Sequence, residues 1–394
     1  MRTKEQYISE NKERFLYELK RLLAIPSVST NAQNKEAMKQ CAEMLKEMMI
    51  QAGCDQAAVH QTHHHPVVFG KKIIDTKLPT VLVYGHYDVQ PAEPLELWDN
   101  PPFDAQVIDG KIIARGASDD KGQMFMHVKA LETMVKTNTL PCNIKFIIEG
   151  EEEIGSPSLP NYLEQHKDLL KADVVLASDT AMISLLHPSI ETALRGMVYM
   201  QVEATGPNRD LHSGIFGGAV ANPINMLCKL IASMHDENNH ITIPGFYDQV
   251  IELSKEQRQE IAKLPYEEAD YKRELGVNEL SGEKGYTTLE RTGIRPTLDV
   301  NGIWGGYIEA GAKTVLPSKA FAKISMRLVP DQKPETIAEL FKNYLLKQCP
   351  RWCNAGCETA QYWRTCCYQY TFKRLSRSRA GHSKNLWQNA FKSI

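Results

Sequence analysis

The sequence has no excess of charge of either sign. Across 394 residues, 46 Lys and Arg stand against 48 Asp and Glu, a formal net charge of -2. Without a global basic field there is no charge-driven pull toward nucleic acid or an anionic membrane, so neither is expected as a partner. The opening stretch MRTKEQYISENKERFLYELK is charged and lacks an apolar core, which excludes the pattern of a secretory leader or a spanning helix there. Compositional bias is missing too. Hydrophobic residues at 42% and charged residues at 24% sit near globular averages and exclude a disordered, collagen-like or low-complexity chain. Cysteine is sparse until the last stretch: Cys41, Cys54, Cys142 and Cys228 are scattered. Scattered thiols suit a reducing compartment, and a cytoplasmic location is the expectation.

What is present reads as two domains, since the length exceeds what a single core usually holds. Phe15, Leu16, Leu19, Leu22 and Leu23 recur at helical spacing and predict a helix over 5–23, ended by Pro26. A second helix is expected over 35–52, with Ala37, Met38, Cys41, Met44, Leu45, Met48 and Met49 on its core side. Short apolar runs at 80–84, 143–148 and 173–177, with a helix over 121–136 between the first two, imply an α/β domain on a mainly parallel sheet. After Gly196 the pattern changes to strands at 197–204 and 322–329 with helical stretches near 219–234 and 335–346, a separate α+β domain. The mixed-charge stretch 248–284 reads as a solvated helical face.

Each of the three parallel runs ends in a cluster of His, Asp or Glu, and sites of open α/β sheets lie at those carboxyl ends. In VLVYGHYDVQP, His86 and Asp88 are two residues apart and share one face of an extended strand. One can bind a metal while the other orients its ring. In IIARGASDDKGQ, Asp119 and Asp120 occupy a glycine-punctuated turn before a helix, as cation ligands or as an ordinary cap. In FIIEGEEEIGS, Glu151, Glu152 and Glu153 repel one another unless cations or protons offset them, or unless the turn is simply solvated. Asp179 in VVLASDT completes a set of one imidazole and several carboxylates that suits a hard-to-borderline divalent metal.

These motifs, with WDNPPF, DGKIIARGASDDKG and RDLHSGIFGGAVANP in the same order, resemble the co-catalytic zinc peptidases. That family includes carnosinases, aminoacylases, succinyl-diaminopimelate desuccinylases and glutamate carboxypeptidases, and the similarity is greatest to its cytosolic dipeptidase branch. The resemblance spans roughly residues 5–348. It implies a zinc-binding catalytic domain over 1–194 and an inserted α+β, ferredoxin-like lid and dimerisation domain over 195–348. It further implies two zinc ions, or Mn2+ or Co2+, one held by His86, Asp119 and Asp179 and the other by Glu153 with Asp119 as the bridge. Glu152 would be the general base, Asp88 the support of His86, and Glu151 a neighbour that binds no metal. A cis peptide between Asp119 and Asp120 is implied as well. In the lid, His212 matches a histidine that reaches a neighbouring subunit's active site to stabilise the oxyanion, which implies a homodimer. Thr314 and Arg327 match positions that hold the carboxylate end of a small peptide substrate. The implied reaction is two-metal hydrolysis, with Glu152 taking a proton from the attacking water and returning it to the leaving amine.

The resemblance stops near Gln348. The segment 349–394 holds five of the nine cysteines, three of the five tryptophans, eight Lys and Arg and one acid, Glu358. A reading-frame shift near Gln348 is the expectation that accounts for this tail. It would replace the end of both domains and the family's last zinc-ligand histidine, leave the second metal site incomplete and impair turnover. Other readings of the tail are a zinc site at Cys349, Cys353 and Cys357 or a nucleic-acid patch at RLSRSRAGHSK; His382 is not assigned as a ligand. The run His60, His63, His64, His65 is expected to bind metal only adventitiously.

Overall fold

A computed structural model describes residues 2–183, 187, 189 and 193–349, together with the backbone of Asn354–Trp363 and Cys366–Cys367. The side chains of Cys353 and Cys357, His382 and the arginine-rich tail segment lie outside the described residues. The chain forms two units that divide between Ala181 and Met182.

The first unit begins with α1 (Lys4–Leu23), closed at its start by a reciprocal Thr3–Gln6 capping box. Helix α2 (Lys35–Gln51) buries Met38, Cys41, Leu45, Met48 and Met49, so the methionine stripe is core as expected. Five strands follow: β1 (Gln56–His60), β2 (Val67–Lys72), β3 (Thr80–His86), β4 (Asn143–Glu149) and β5 (Val174–Ala177), in the order β1-β2-β4-β3-β5. Strands β3, β4 and β5 are mutually parallel. The β1/β2 pair adds two antiparallel strands on one side, which makes the sheet mixed.

The sheet is buried on both faces, the state that continuous apolar runs require. Val68, Val83, Phe146 and Ile148 pack with Leu45, Met49 and with Met124 and Val128 of α3 (Lys121–Lys136). Val67, Phe69, Leu82 and Ile147 point the other way, onto Tyr162 of α4 (Leu159–Gln165) and Leu170. This two-residue alternation brings the carboxyl ends of β3 and β4 level, with His86 directly opposite Glu149.

The second unit is built on a four-stranded antiparallel sheet of β6 (Gly196–Thr205), β7 (Thr297–Gly305), β8 (Lys319–Leu328) and β9 (Asn354–Trp363), ordered β7-β8-β6-β9. Helices α5 (Pro223–Ala232) and α6 (Pro334–Gln348) cover one face and bury Leu227, Leu230, Ile337 and Phe341 against Val198, Val202, Ile324 and Met326. The backbone of β9, within the segment assigned to the tail, pairs along β6 from Asn354 opposite Thr205 to Trp363 opposite Met197. Within 248–284, the short helices Lys255–Ile261 and Glu268–Leu275 bury no residue, as a solvated face requires.

Candidate metal centre

The centre is assembled where β3, β4 and β5 end. His86, the last residue of β3, is completely buried. Its Nδ1 donates toward Asp88, whose backbone carbonyl lies at 3.0 Å and whose Oδ1 lies at 3.3 Å. That fixes the ring, and Nε2 then faces Asp119 Oδ1 at 3.1 Å and Asp179 Oδ2 at 3.4 Å. With Nδ1 committed to Asp88, Nε2 presents either a proton or its lone pair to two carboxylates. A lone pair so placed is repelled unless a cation lies between them. The three ligand atoms lie within 4.8 Å of one another, and one imidazole with carboxylates is a donor set that suits zinc and its neighbours. The residues therefore fit a divalent metal.

Asp119 reaches this position through a turn whose peptide bond to Asp120 is cis. The two aspartates diverge. Asp119 stays exposed at 62% of its side chain, and its hydrogen bond with His86 holds its carboxyl below the usual range against the effect of burial. Asp120 is buried, and its Oδ2 accepts the backbone N–H of His86 at 3.0 Å. Burial pushes its carboxyl up to about 7. Gly85 makes the approach possible, since a Cβ there would lie 2.7 Å from Asp120 Oδ2. Lys121, also fully buried, donates to the carbonyls of Ile25 at 2.7 Å and Leu22 at 3.2 Å and so ties the start of α3 to the end of α1.

The acidic run divides by direction. Glu151 is buried and turned away from His86: it accepts the backbone N–H groups of His65 and Ser158, each at 2.8 Å. Gly150 lets the chain pass Tyr87, for a Cβ would lie 2.4 Å from that ring. Glu152 and Glu153 open a short helical turn, and Asp88 accepts both their backbone N–H groups, at 3.2 and 3.0 Å. Burial pushes the Glu152 carboxyl up to about 7, with Glu153, Asp179 and Asp88 adding to the shift and His86 opposing it. Glu153 is raised as well, chiefly by burial, and its Oε2 accepts from Gln90 Nε2 at 2.7 Å. Glu153 lies outside the trio of His86, Asp119 and Asp179.

In the second unit, His212 and Thr314 come together: Thr314 Oγ1 is 3.4 Å from His212 Nε2, while His212 Nδ1 accepts the N–H of Gly214 at 3.0 Å. Arg327 is exposed on β8, opposite Met197 and Thr297. The histidine run does not converge. His60 Nδ1 is 2.8 Å from the Tyr162 hydroxyl, His63 and His64 meet edge to face, and His65 is buried with Nε2 on the Ser29 carbonyl. Sequence reasoning left Gln90, Lys121 and Glu149 unassigned. Gln90 stood within the quoted VLVYGHYDVQP motif, but a glutamine there carries no signal of its partner.

The description peptidase family M20/M25/M40 matches residues 82–366. The chain belongs to this family. It is a peptidase, a hydrolase of peptide bonds, and its fold is that of the family's catalytic and lid architecture. The Cys-Gly metallodipeptidase dug1 of Schizosaccharomyces pombe is 33% identical over 355 residues, 87% of this chain and 75% of that protein. The Beta-Ala-His dipeptidase of Rattus norvegicus is 31% identical over 347 residues, 84% of this chain and 70% of that protein. Among solved structures, the di-peptidase Dug1p of Saccharomyces cerevisiae superposes with a TM-score of 0.82 at 27% identity, covering 95% of this chain and 82% of that one. Human carnosine dipeptidase 1 gives the same TM-score at 28% identity, over 95% and 83%.

Proposed function

We propose that this chain is a zinc-dependent dipeptidase that hydrolyses the amide bond of dipeptides or related N-acyl amino acids. The observation that carries the reading is the convergence of His86, Asp119 and Asp179, with the turn bearing Glu152 held by the same Asp88 that orients His86. A carboxylate beside a metal-activated water is placed to accept its proton and give it back. Two zinc ions, or Mn2+ or Co2+ in their place, would supply Lewis acidity at the scissile carbonyl and make a water more acidic. His86, Asp119 and Asp179 are the proposed holders of one, and Asp119 with Glu153 of the other.

Glu152 takes the proton of the attacking water and passes it to the leaving amine. Asp88 holds the proton on His86 Nδ1, which leaves Nε2 free to serve as a ligand to a metal. His212, acting in a partner subunit's site, offers a donor to the developing oxyanion, and the Arg327 fork with Thr314 holds the substrate's free carboxylate. The working form is a cytoplasmic homodimer. Cys41, Cys54 and Cys142 are free and buried, as a reducing compartment allows.

A second reading, a metal-binding relative without turnover, is favoured by one observation. Among the described residues only one group of three ligands forms, whereas catalytic zinc usually has three protein ligands. Zinc stoichiometry and hydrolysis of a dipeptide panel, measured on the chain and on Glu152→Gln, separate the two. The dipeptidase reading expects two zincs in both proteins and turnover only in the unaltered one. One zinc and no turnover in the unaltered chain would overturn it in favour of the second.

A further inference from the structure

We propose that Glu149 is a positioning residue of this site, its carboxylate holding the turn that presents Glu152 and Glu153 through Tyr84 and Ser156. The inference rests on the reading of Glu152 as base and Glu153 as ligand. Glu149 ends β4, lies opposite His86 in the parallel ladder and is 1% exposed. Its Oε1 accepts two hydroxyls, Tyr84 Oη at 2.7 Å and Ser156 Oγ at 2.9 Å. Tyr84 belongs to β3, two residues before His86, and Ser156 stands at the exit of the turn opened by Glu152. One oxygen thus joins the strand that carries His86 to the far end of the segment that carries the base.

The exit of that turn needs such a tie. Gly155 has φ +85 and Ser156 has φ +52, two successive residues in the left-handed region. Glycine is at ease there, but a serine is not. Ser156 is held from both sides, its N–H on the Glu151 carbonyl at 2.7 Å and its hydroxyl on Glu149. The entry of the turn is held separately, by Asp88 on the N–H groups of Glu152 and Glu153. With both ends fixed by carboxylates outside the metal trio, the two glutamates between them are held in place before substrate arrives. A fully buried carboxylate is costly where apolar side chains would pack. Both hydroxyls directed at one oxygen mark the acceptor geometry as the feature in use.

The test uses the full chain with Glu149→Gln, which keeps an acceptor oxygen without the charge, and Glu149→Leu, which removes it. Tyr84→Phe removes one hydroxyl and leaves the carboxylate satisfied by Ser156. Two quantities are read: Zn2+ affinity of the metal-free protein by calorimetry, and kcat and KM for Cys-Gly. Glu149→Leu is expected to weaken Zn2+ binding and lower kcat, each by about tenfold or more, with KM nearly unchanged. Glu149→Gln recovers most of both, and Tyr84→Phe falls between. A merely structural brace would lower stability and leave these quantities alone in folded protein. The proposal is overturned if folded Glu149→Leu matches the unaltered chain, or if Glu149→Gln is as impaired as Glu149→Leu, which would assign the effect to charge. Should Glu149→Leu not fold, unchanged Zn2+ affinity and kcat in Tyr84→Phe overturns it equally. If the unaltered chain binds Zn2+ but turns over nothing, the dipeptidase reading fails, while the Zn2+ affinities still decide the role of Glu149.

Discussion

Replacing Asp88 with asparagine tests the link between the fold and the metal centre. Asp88 is completely buried and faces three donors: the N–H of Glu152 at 3.2 Å and His86 Nδ1 at 3.3 Å on Oδ1, and the N–H of Glu153 at 3.0 Å on Oδ2. Asparagine has one acceptor oxygen where aspartate has two, so at least one of these donors must face an NH2 group. The orientation that loses least keeps the oxygen on Glu152 and His86 and abandons the Glu153 N–H. A buried donor left without an acceptor costs about 1–3 kcal/mol, and that is the expected loss of stability in metal-free protein. A second loss appears only with metal, because a neutral amide supports the His86 ring less well than a carboxylate. Replacing such outer partners of a ligating histidine typically costs about 10–100-fold in metal affinity. Urea unfolding of the metal-free variant reads the first quantity and Zn2+ calorimetry the second. Lost stability with unchanged Zn2+ affinity would refute the coupling and leave Asp88 a brace of the Glu152 turn alone. Unchanged stability would refute the hydrogen-bond account itself.

Three further outcomes are expected. Gly150→Ala would set a Cβ 2.4 Å from the buried Tyr87 ring, whose hydroxyl is tied to the Pro66 carbonyl at 2.7 Å; overpacking of this kind costs about 1–3 kcal/mol, and an unchanged urea midpoint would count against it. Burial raises the Glu132 carboxyl, but hydrogen bonds from Arg14, Lys129 and Tyr7 outweigh it and set the group below its ordinary 4.5. A depressed folded value stabilises above the unfolded pKa, and the gain disappears as pH falls through the folded value. Glu132→Gln should therefore be less stable at neutral pH and lose that deficit on acidification, whereas a deficit independent of pH would refute the assignment. Zinc added to metal-free protein should stabilise it by about 2.7 kcal/mol at a hundredfold excess over Kd, and thermal melts of His86→Ala should show a much smaller rise.

The parts of the fold legible in sequence are those set by local pattern. The runs at 80–84, 143–148 and 173–177 are apolar because both faces of the sheet are covered, and their ends converge because parallel neighbours in register must end level. The methionine stripe of α2 was legible for the same reason. Strand β1 was not: its pairing answers to a partner across the sheet rather than to periodicity. Lys121 gave no sign of burial, since its acceptors are the carbonyls of Leu22 and Ile25, almost a hundred residues earlier. Strand β9 escaped notice because backbone pairing tolerates a change of composition that ends a resemblance.

The acidic run shows where sequence reading must stop and why the structure can continue. Glu149, Glu151, Glu152 and Glu153 are chemically alike, and spacing alone does not rank them. Their hydrogen bonds do. Glu149 receives Tyr84 and Ser156 on one oxygen, and Glu151 receives His65 and Ser158 on its two, so both are buried and tied to the framework. Glu152 and Glu153 are only partly buried. Their backbone N–H groups are held by Asp88, and burial has raised their affinity for positive charge. Rigid main chain with chemically available side chains is the combination that a base and a ligand require. The division therefore follows from donors spread between positions 65 and 158, which no window on the run itself contains.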